Sequence, residues 1–503
     1  MSADLVLAVD CSTTSAKAIV WDTAGGRAGE GRASLELSVP APGHGEQQPR
    51  AWWTATAAAI REALATVDAA RIAAIAVTHQ RETFACLDAH GDAIRPAMLW
   101  LDSRASAEVE QYGTERVHRL TGKPVNPTPG WYKLLWIARH EPWVLEATRH
   151  VVDVHAYLVH RLTGLWATST ASADPLGLID LSTGDWSDEL LGAVGLERSV
   201  LPALHAPGDQ IGALKPAAAG QLGLPVGLPV IAGAGDGQCA GLGAGIAEPG
   251  RAYLNLGTGL IAGTVNREYE PSSAYRALVG AVPGTFDYEL FIGAGTYMVT
   301  WFADTILGPS EERARPTEGF EKYWEARAAE VPLGSDGLVV VPYWNGALTP
   351  YWDHHAGGVM VGFAGVHGRA HIYRAILEGI AFELRLCVEE AERHQAEPVA
   401  EFVAMGGGSH SPFWCQLIAD IVRRPVVLAG QDEATALGAG ILAAAGVGLH
   451  ADIPTAAAAM TTMGARFEPD EVAARRYDDH YAAYRAVYPA LRPVFPLLKG
   501  AAA

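Results

Sequence analysis

The stretch "LVLAVDCSTTSAKAIVWDTAGG", residues 5–26, carries the information that decides the fold class. An apolar run, a turn of small polar residues at 11–15, a second apolar run and a Gly-Gly turn predict a β-hairpin. About 245 residues later, "GRAYLNLGTGLIAGTV" at 250–265 repeats the order of strand, small-residue turn and strand. A motif that returns at half the chain length favours two related domains, although two unrelated hairpins could also look alike.

Helix and strand patterns alternate after each hairpin. Helical patterns at 49–67 and 371–395 each lead into an apolar strand pattern, and Ser411 and Pro412 begin a further helix as its cap and first-turn residues. A small-residue helix is predicted at 433–446. Alternating helices and strands indicate α/β domains whose sheets are covered by helices. We expect two domains, 1–246 and 247–503, that meet at a Pro-Gly break.

Composition limits the classes of protein to consider. The 503 residues are 49% hydrophobic and 18% charged, which allows a large buried core. The formal net charge of −19 disfavours binding to nucleic acid or to an anionic membrane, since both are polyanions. If this protein handles phosphate, backbone dipoles, a few cations and a metal ion must do so locally.

The cysteines and the apolar runs point to a reducing compartment. The five cysteines form no CxxC pair and have no zinc-ligand spacing, which argues against disulfides and structural zinc. The chain starts without a basic segment typical of a signal peptide, and no apolar run reaches the length of a membrane span. We therefore expect a soluble cytoplasmic protein.

Three turns could hold phosphate or nucleotide. Asp10 ends the first strand and is followed by four hydroxyl residues and Lys17; such a turn can bind phosphate oxygens while the carboxylate holds magnesium. An ordinary Ser/Thr-rich hairpin turn is the alternative. The turn at 255–259 and the glycines at 406–408, between a strand and a helix, allow close backbone approach but are weak signals alone.

Two strand ends carry groups suited to a polyhydroxyl ligand. Gln80, Arg81 and Glu82 follow an apolar strand and offer paired donors and acceptors, although such residues are often a solvated strand edge. Trp100 could cover the apolar face of a sugar. Asp102, close to Arg104, could contact hydroxyls or form a structural ion pair.

Asp236 is the one carboxylate within "IAGAGDGQCAGLGAG", residues 231–245. Asp-Gly is a common turn dipeptide, so a turn is one interpretation. The other is a catalytic base, because glycines would let a ligand and a second backbone come close to a lone proton acceptor. These residues alone favour neither interpretation.

The chain resembles the FGGY carbohydrate kinases over nearly its whole length. The resemblance is carried, in order, by "DCSTTSAK", "THQRET", "RPAMLWLDSR", "KLLWIARHEP", "GAGDGQCAGLG", "NLGTG", "GALTPYWD", "AILEGIAFEL", "GGGSHSPFWCQLIADI" and "EATALGAGILAA". It implies two ribonuclease-H-like, actin-like domains around a central cleft. It also implies transfer of the ATP γ-phosphoryl group to a sugar or polyol hydroxyl, with Mg²⁺.

The resemblance assigns roles to particular residues. Asp236 matches the family base, and both Asp10 and Asp236 lie where magnesium is positioned. The N-terminal domain would bind the acceptor and the C-terminal domain, with its C-terminal helix, would bind ATP. The acceptor set is Gln80, Arg81, Glu82, Trp100, Asp102, Asp236 and Gln238. The ATP and phosphate set is Thr13, Thr14, Lys17, Gly257, Thr258, Gly407, Gly408 and Ser411.

Some positions depart from the family pattern. Cys11 and Ser12 stand where the family usually has an apolar residue and glycine. Three residues before Lys133 the family favours proline, serine or threonine, and this chain has Gly130. The stretch "QRET" resembles glycerol kinases, whereas "RPAMLWLDSR" resembles xylulose kinases. We expect the acceptor to be a short-chain ketose or polyol. The sequence does not decide whether it has three, four or five carbons.

Three other functions remain alternatives. One is a catalytically silent actin-fold regulator that binds nucleotide, which the presence of both Asp10 and Asp236 disfavours. Another is a kinase of a linear signalling sugar. The third is an ATP-driven chaperone of the same fold class, disfavoured because no substrate-binding domain follows "FPLLKGAAA". A homodimer is left open.

Overall fold

The computed structural model describes residues 3–308 and 319–500. The first half of the chain contains these strands: β1 Leu5–Cys11, β2 Ser15–Asp22, β3 Arg27–Ser34, β4 Glu46–Gln47, β5 Ile72–His79, β6 Phe84–Leu87, β7 Ala97–Met98, β8 His150–Asp153, β9 Ala167–Ser169, β10 Ile179–Asp180, β11 Asp185–Trp186, β12 Ala203–His205, β13 Gln210–Ala213 and β14 Pro229–Ile231. Its helices are α1 Pro49–Ala63, α2 Ser106–Tyr112, α3 Glu115–Thr121, α4 Gly130–His140, α5 Pro142–Ala147, α6 Val154–Thr163, α7 Thr170–Ala173, α8 Asp188–Val194, α9 Pro216–Leu222 and α10 Asp236–Gly243.

The second half continues the numbering. Its strands are β15 Arg251–Leu256, β16 Leu260–Asn266, β17 Arg276–Val279, β18 Phe286–Ile292, β19 Val339–Val341, β20 Val359–Val361, β21 Glu401–Met405, β22 Val426–Ala429 and β23 Met463–Phe467. Its helices are α11 Thr296–Trp301, α12 Phe320–Glu330, α13 Arg369–Ala391, α14 Pro412–Val422, α15 Ala434–Gly446, α16 Ile453–Met460, α17 Glu471–Leu491 and α18 Phe495–Gly500.

Both predicted hairpins are present, and each begins a sheet of the same design. The first sheet has the order β3-β2-β1-β5-β14-β13, and the second contains β18-β16-β15-β21-β22-β23 with β17 added at its edge. In each sheet the first three strands are antiparallel, the next two run parallel to the third, and the last is antiparallel again. The predicted repeat is therefore confirmed strand by strand.

Local signals placed the main helices correctly. The Ser411 side chain accepts a hydrogen bond from the Trp414 N–H at 2.9 Å, so it caps α14 as predicted. The first helix ends at Ala63, four residues before the end of its predicted pattern. All five cysteines are free and buried.

The long helix α17 packs through a stripe of tyrosines. Tyr477, Tyr481, Tyr484 and Tyr488 recur at helical spacing and are buried. Their hydroxyl groups donate to buried or half-buried acids, for example Tyr477 to Glu378 at 2.9 Å. A polar tip on each buried ring is thus satisfied.

Helices α10 and α15 form the tightest contact between the two halves. A Cβ added at Gly243 would lie 1.8 Å from the Ala434 carbonyl oxygen, and one at Gly438 would lie 2.0 Å from the Cys239 carbonyl oxygen. Helix α15 also packs on the first sheet, where Leu437 and Ile441 join Val6 and Ala8 in one buried cluster. Glycine is required here because backbone faces backbone.

Among the described residues, none of the helices combines the length and the apolar character needed to cross a lipid bilayer.

The α10–α15 contact gives a stability prediction. Gly438→Ala should lower the free energy of unfolding by about 2 kcal/mol, because the added methyl meets a carbonyl oxygen that cannot move away without shifting α10. Chemical denaturation followed by circular dichroism measures this change.

The matched control is Gly220→Ala in α9, where an added Cβ meets nothing within 4 Å. That variant should be more stable by about 0.5–1 kcal/mol, since alanine favours helix. Equal stability of the Gly438 variant and the parent protein would contradict the contact.

Candidate active site

Asp236 lies at the start of helix α10, directly beside the end of the first sheet. Gly235 pairs with His79 in an isolated parallel bridge, which places the helix start next to the end of β5. The Gly237 N–H donates to Asp236 Oδ1 at 2.8 Å, and the side chain is 40% exposed. The turn interpretation therefore gives way to a helix N-terminus with an accessible carboxylate.

The glycines around Asp236 make room for a side chain as well as for backbone. A Cβ on Gly235 would lie 2.6 Å from the Arg81 side chain, and one on Gly237 would lie 2.7 Å from it. Arg81 Nε forms an ion pair with Asp236 Oδ1 at 2.9 Å. The sequence suggested that Asp236 is alone among glycines, but the structure gives it a buried cation, Arg81, as its neighbour.

Asp10 lies at the end of β1 and forms a second carboxylate in the same place. Burial, with the like charge of Asp236 as a further cause, raises the pKa of Asp10 to about 7. Partial desolvation also raises the pKa of Asp236, against the opposing effect of Arg81. The Ser12 hydroxyl donates to both oxygens of Asp10 at 3.0 Å, so serine at this position adds a donor.

The first turn keeps a regular hairpin shape without the family's glycine. The Ser12 N–H donates to the Ser15 carbonyl at 2.9 Å and closes the turn. Thr13 donates to Gln80 Oε1 at 3.2 Å and accepts from Trp100 Nε1 at 3.0 Å, while Thr14 is exposed. The turn therefore joins the predicted phosphate residues to the predicted acceptor residues.

Lys17 reaches from the first sheet to the start of α15. Its Nζ contacts Glu433 Oε2 at 2.7 Å, with about one fifth of each side chain exposed. In register, Lys17 lies opposite Asp10 on the hairpin. The one lysine of the predicted phosphate site is thus ion-paired with a glutamate from the second half of the chain.

Arg81 and Glu82 form ion pairs with residues of the second half of the chain rather than with each other. Arg81 Nη1 contacts Glu289 Oε1 at 3.0 Å, and Glu82 forms an ion pair with Arg276. Glu289 in turn pairs with Arg276, and the Glu289 side chain is fully buried. Sequence reasoning missed Glu289 and Arg276; the only signal was the acid at every second position of "FDYELF" in strand β18.

Gln80 and Gln238 are buried, and their side-chain amides hydrogen-bond to neighbouring groups. Gln80 Nε2 donates to Gln47 Oε1 at 3.0 Å, and Gln238 Nε2 donates to the Ala171 carbonyl at 3.0 Å. Gln238 Oε1 also accepts from Arg81 Nη1 at 3.5 Å. Each amide thus fixes a neighbour of the cleft.

Asp102 was expected to contact the acceptor. In the structure it forms an ion pair with Arg104 instead, the alternative that the sequence left open. Its side chain is fully buried, Arg104 Nε donates to it at 2.9 Å, and the Gly45 N–H donates at 2.8 Å. Both oxygens already have protein partners, so Asp102 holds its loop in place. Trp100, two residues earlier, remains 37% exposed.

The glycine turn of the second half borders an open cleft of about 720 Å³. Gly407, Gly408 and Ser411, which belong to the ATP site predicted from the sequence, line it just before α14. Thr296 also lines it and donates its N–H to the Gly257 carbonyl at 2.9 Å. The Gly257–Thr258 turn therefore lies against the cleft that contains the glycine turn.

Comparison with known proteins agrees with this arrangement. The family model described as "FGGY family of carbohydrate kinases, N-terminal domain" matches residues 5–243, and the corresponding C-terminal domain matches 252–447. The glycerol kinase of Alkalilimnicola ehrlichii is 32% identical, covering 93% of this chain and 96% of its own. The xylulose kinase of Bacillus subtilis is 28% identical, covering 96% of both chains.

Solved structures show the same likeness in three dimensions. The xylulose kinase from Rhodospirillum rubrum superposes with a TM-score of 0.91 at 30% identity, covering 98% of this chain and 99% of that one. The two sheets of matching design agree with these relatives. The chain belongs to the FGGY family of carbohydrate kinases, ATP-dependent phosphotransferases that act on a sugar or polyol.

Proposed function

We propose that this kinase phosphorylates a short-chain ketose or polyol, with Asp236 as the base that accepts the hydroxyl proton. The observation that carries the proposal is the position of Asp236, accessible at a helix start and flanked by Asp10 and Arg81. Phosphoryl transfer depends on positioning and charge neutralisation, and needs one proton acceptor near the attacking hydroxyl.

The hydrogen bonds of Asp236 divide its two oxygens. Oδ1 accepts a hydrogen bond from the Gly237 N–H and forms an ion pair with Arg81 Nε. Within the described residues Oδ2 has no protein donor, so it is the oxygen available to an acceptor hydroxyl. Partial desolvation raises the pKa of Asp236 and Arg81 opposes that rise. A carboxylate with a raised pKa is a stronger proton acceptor.

The acceptor would lie against the wall formed by Arg81, Glu82 and Trp100. A guanidinium and a carboxylate can hold neighbouring hydroxyls by charge-assisted hydrogen bonds, and an indole can cover the carbon chain. The acceptors named for the relatives, xylulose and glycerol, both present adjacent hydroxyls. Three, four or five carbons fit this chemistry, as does a linear signalling sugar.

ATP would bind in the cleft that the second half of the chain forms. Gly407, Gly408 and Ser411 suit the adenosine, because the glycines leave backbone exposed beside the cleft. The phosphates would lie between the Gly257–Thr258 turn and the first hairpin turn, with Thr13, Thr14 and Lys17. Lys17 would then exchange its contact with Glu433 for one with phosphate.

Magnesium fits the two carboxylates of the cleft. Asp10 lies close enough to Asp236 for the negative charge of Asp236 to help raise the pKa of Asp10. Carboxylate oxygens are hard donors, which suit Mg²⁺. The described residues contain no cluster of three metal-binding side chains. A Mg²⁺ held by few carboxylates and completed by water and phosphate agrees with that chemistry, and it would neutralise phosphate charge.

A coupled assay tests the proposal. ADP release is measured over about thirty ketoses, polyols and sugar acids, with xylulose and glycerol included. We expect ADP release to depend on one short-chain acceptor. Nucleotide binding without turnover on any acceptor would instead support the silent actin-fold regulator.

Asp236→Asn should retain ATP binding and lose turnover by about two to four orders of magnitude, the usual weight of a positioned general base. The amide cannot accept the proton, although it fills the same space. Steady-state kinetics measure turnover, and calorimetry measures ATP binding. Rates within threefold of the parent would remove Asp236 from the reaction.

Trp100→Leu should raise the acceptor KM by about tenfold, the loss expected for one ring of contact area, and leave the ATP KM unchanged. Trp100→Phe should recover most of that affinity, because it keeps a ring and loses only the bond to Thr13. The matched control is Trp143→Leu, a tryptophan that is 56% exposed elsewhere in the same half. A larger change in the ATP KM than in the acceptor KM would place the acceptor elsewhere.

A further inference from the structure

Two oppositely charged neighbours, Arg81 and Glu82, stand at the wall proposed for the acceptor. Adjacent residues of opposite charge can neutralise each other, which would leave neither for a ligand. In this protein Glu82 has φ of 56°, a left-handed conformation that is uncommon for a residue with a side chain. Such strained backbone persists only where the surroundings enforce it.

The surroundings that enforce it come from the second half of the chain. Arg276 on β17 and Glu289 on β18 lie directly opposite each other in the antiparallel register. Their side chains pair, through Arg276 Nε to Glu289 Oε2 at 3.1 Å. Each then reaches one residue of the acceptor wall, Arg276 reaching Glu82 and Glu289 reaching Arg81.

The resulting network uses nearly every polar atom it contains. Glu289 Oε1 accepts from Arg81 and from the Tyr253 hydroxyl, the latter at 2.8 Å, while Oε2 accepts from Arg276. Arg276 donates through Nη1 to Glu82 Oε1. Within the described residues, Arg81 Nη2 and Glu82 Oε2 are the atoms of the acceptor wall left without a protein partner.

Burial makes this arrangement rigid. The side chains of Arg81 and Glu82 are 7% exposed, that of Arg276 is 10% exposed and that of Glu289 is not exposed. Ion pairs at such depth are screened little by solvent, and losing one partner strands a buried charge. The network therefore holds one donor and one acceptor at a fixed separation.

A second buried pair anchors the same hairpin on the first half. Lys123 Nζ donates to Asp174 Oδ1 at 2.6 Å and to the Ala277 carbonyl at 2.9 Å. Asp174 Oδ2 accepts from the Val279 N–H at 3.0 Å. Strand β17 is thus fixed to the first half at both ends, next to Arg276.

We propose that Arg276 and Glu289 are positioning residues of the acceptor site, which hold Arg81 and Glu82 apart so that together they bind two neighbouring hydroxyls. This inference rests on the proposed function and extends it. The half of the chain that binds ATP also sets the affinity for the acceptor, through a hairpin that does not touch the nucleotide cleft.

The test compares Michaelis constants for the acceptor and for ATP. Glu289→Gln keeps the shape of the side chain and removes its charge, and Arg276→Lys keeps a cation but loses the fork that reaches both acids. Each should raise the acceptor KM about tenfold, measured with xylulose or glycerol, and change the ATP KM by less than about twofold. Arg276→Lys keeps the test valid if Glu289→Gln does not fold.

A double-mutant cycle separates positioning from a merely structural role. If Arg276 acts through Glu82, then Arg276→Lys should cost little acceptor affinity in a Glu82→Gln background. Additive losses would overturn the proposal. The matched control is Arg251→Lys, another arginine of the same sheet, whose ion-pair partner is Glu401 rather than a member of the network. An equal rise in the acceptor KM there would also overturn the proposal.

Failure of this inference differs from failure of the proposed function. If Trp100→Leu and Arg81→Lys raise the acceptor KM but the Arg276 and Glu289 variants do not, the acceptor site stands and the positioning role is wrong. If none of the four changes the acceptor KM, the proposed acceptor site itself is wrong, and this inference falls with it.

Discussion

The close contact between helices α10 and α15 is the constraint on which the rest of the structure depends. Backbone meets backbone where Gly438 faces the Cys239 carbonyl and Gly243 faces the Ala434 carbonyl. Helix α10 begins with Asp236, and α15 begins directly after Glu433, the partner of Lys17. One glycine-mediated crossing therefore sets where Asp236 and Lys17 lie relative to the second half.

Charge around Asp236 is arranged in a way that the overall composition does not reveal. The protein is strongly acidic, and around Asp236 the cation Arg81 is set against the acids Glu82 and Glu289. Arg81 and Arg276 are ion-paired with carboxylates of the protein, so their charge is not available to attract phosphate. Binding ATP in such a place requires backbone N–H groups, Lys17 and a metal ion to offset the repulsion.

Much of the fold could be predicted because its signals are local. Apolar runs around short turns gave both hairpins, and the Ser411-Pro412 pair gave the start of α14. The order of motifs gave the family. Asp236 could be singled out because a lone acid among small residues is unusual in any sequence.

The partners of the site residues could not be predicted, because they lie far away in sequence. Lys17 meets Glu433 across 416 residues, and Arg81 meets Glu289 across 208. Nothing near Asp102 decides between a ligand contact and its ion pair with Arg104; the decision comes from Gly45, whose N–H closes the site of the carboxylate. Such contacts depend on how the sheets and loops pack, which single-sequence patterns do not encode.

A crystal structure of the protein with Mg²⁺, a non-hydrolysable ATP analogue and the acceptor found by the coupled assay tests the central claim most directly. The account predicts that one acceptor hydroxyl lies within about 2.6–3.2 Å of Asp236 Oδ2 and faces the terminal phosphate. A hydroxyl that faces the terminal phosphate while hydrogen-bonded to another group, with Asp236 contacting only Arg81 and Gly237, would contradict it.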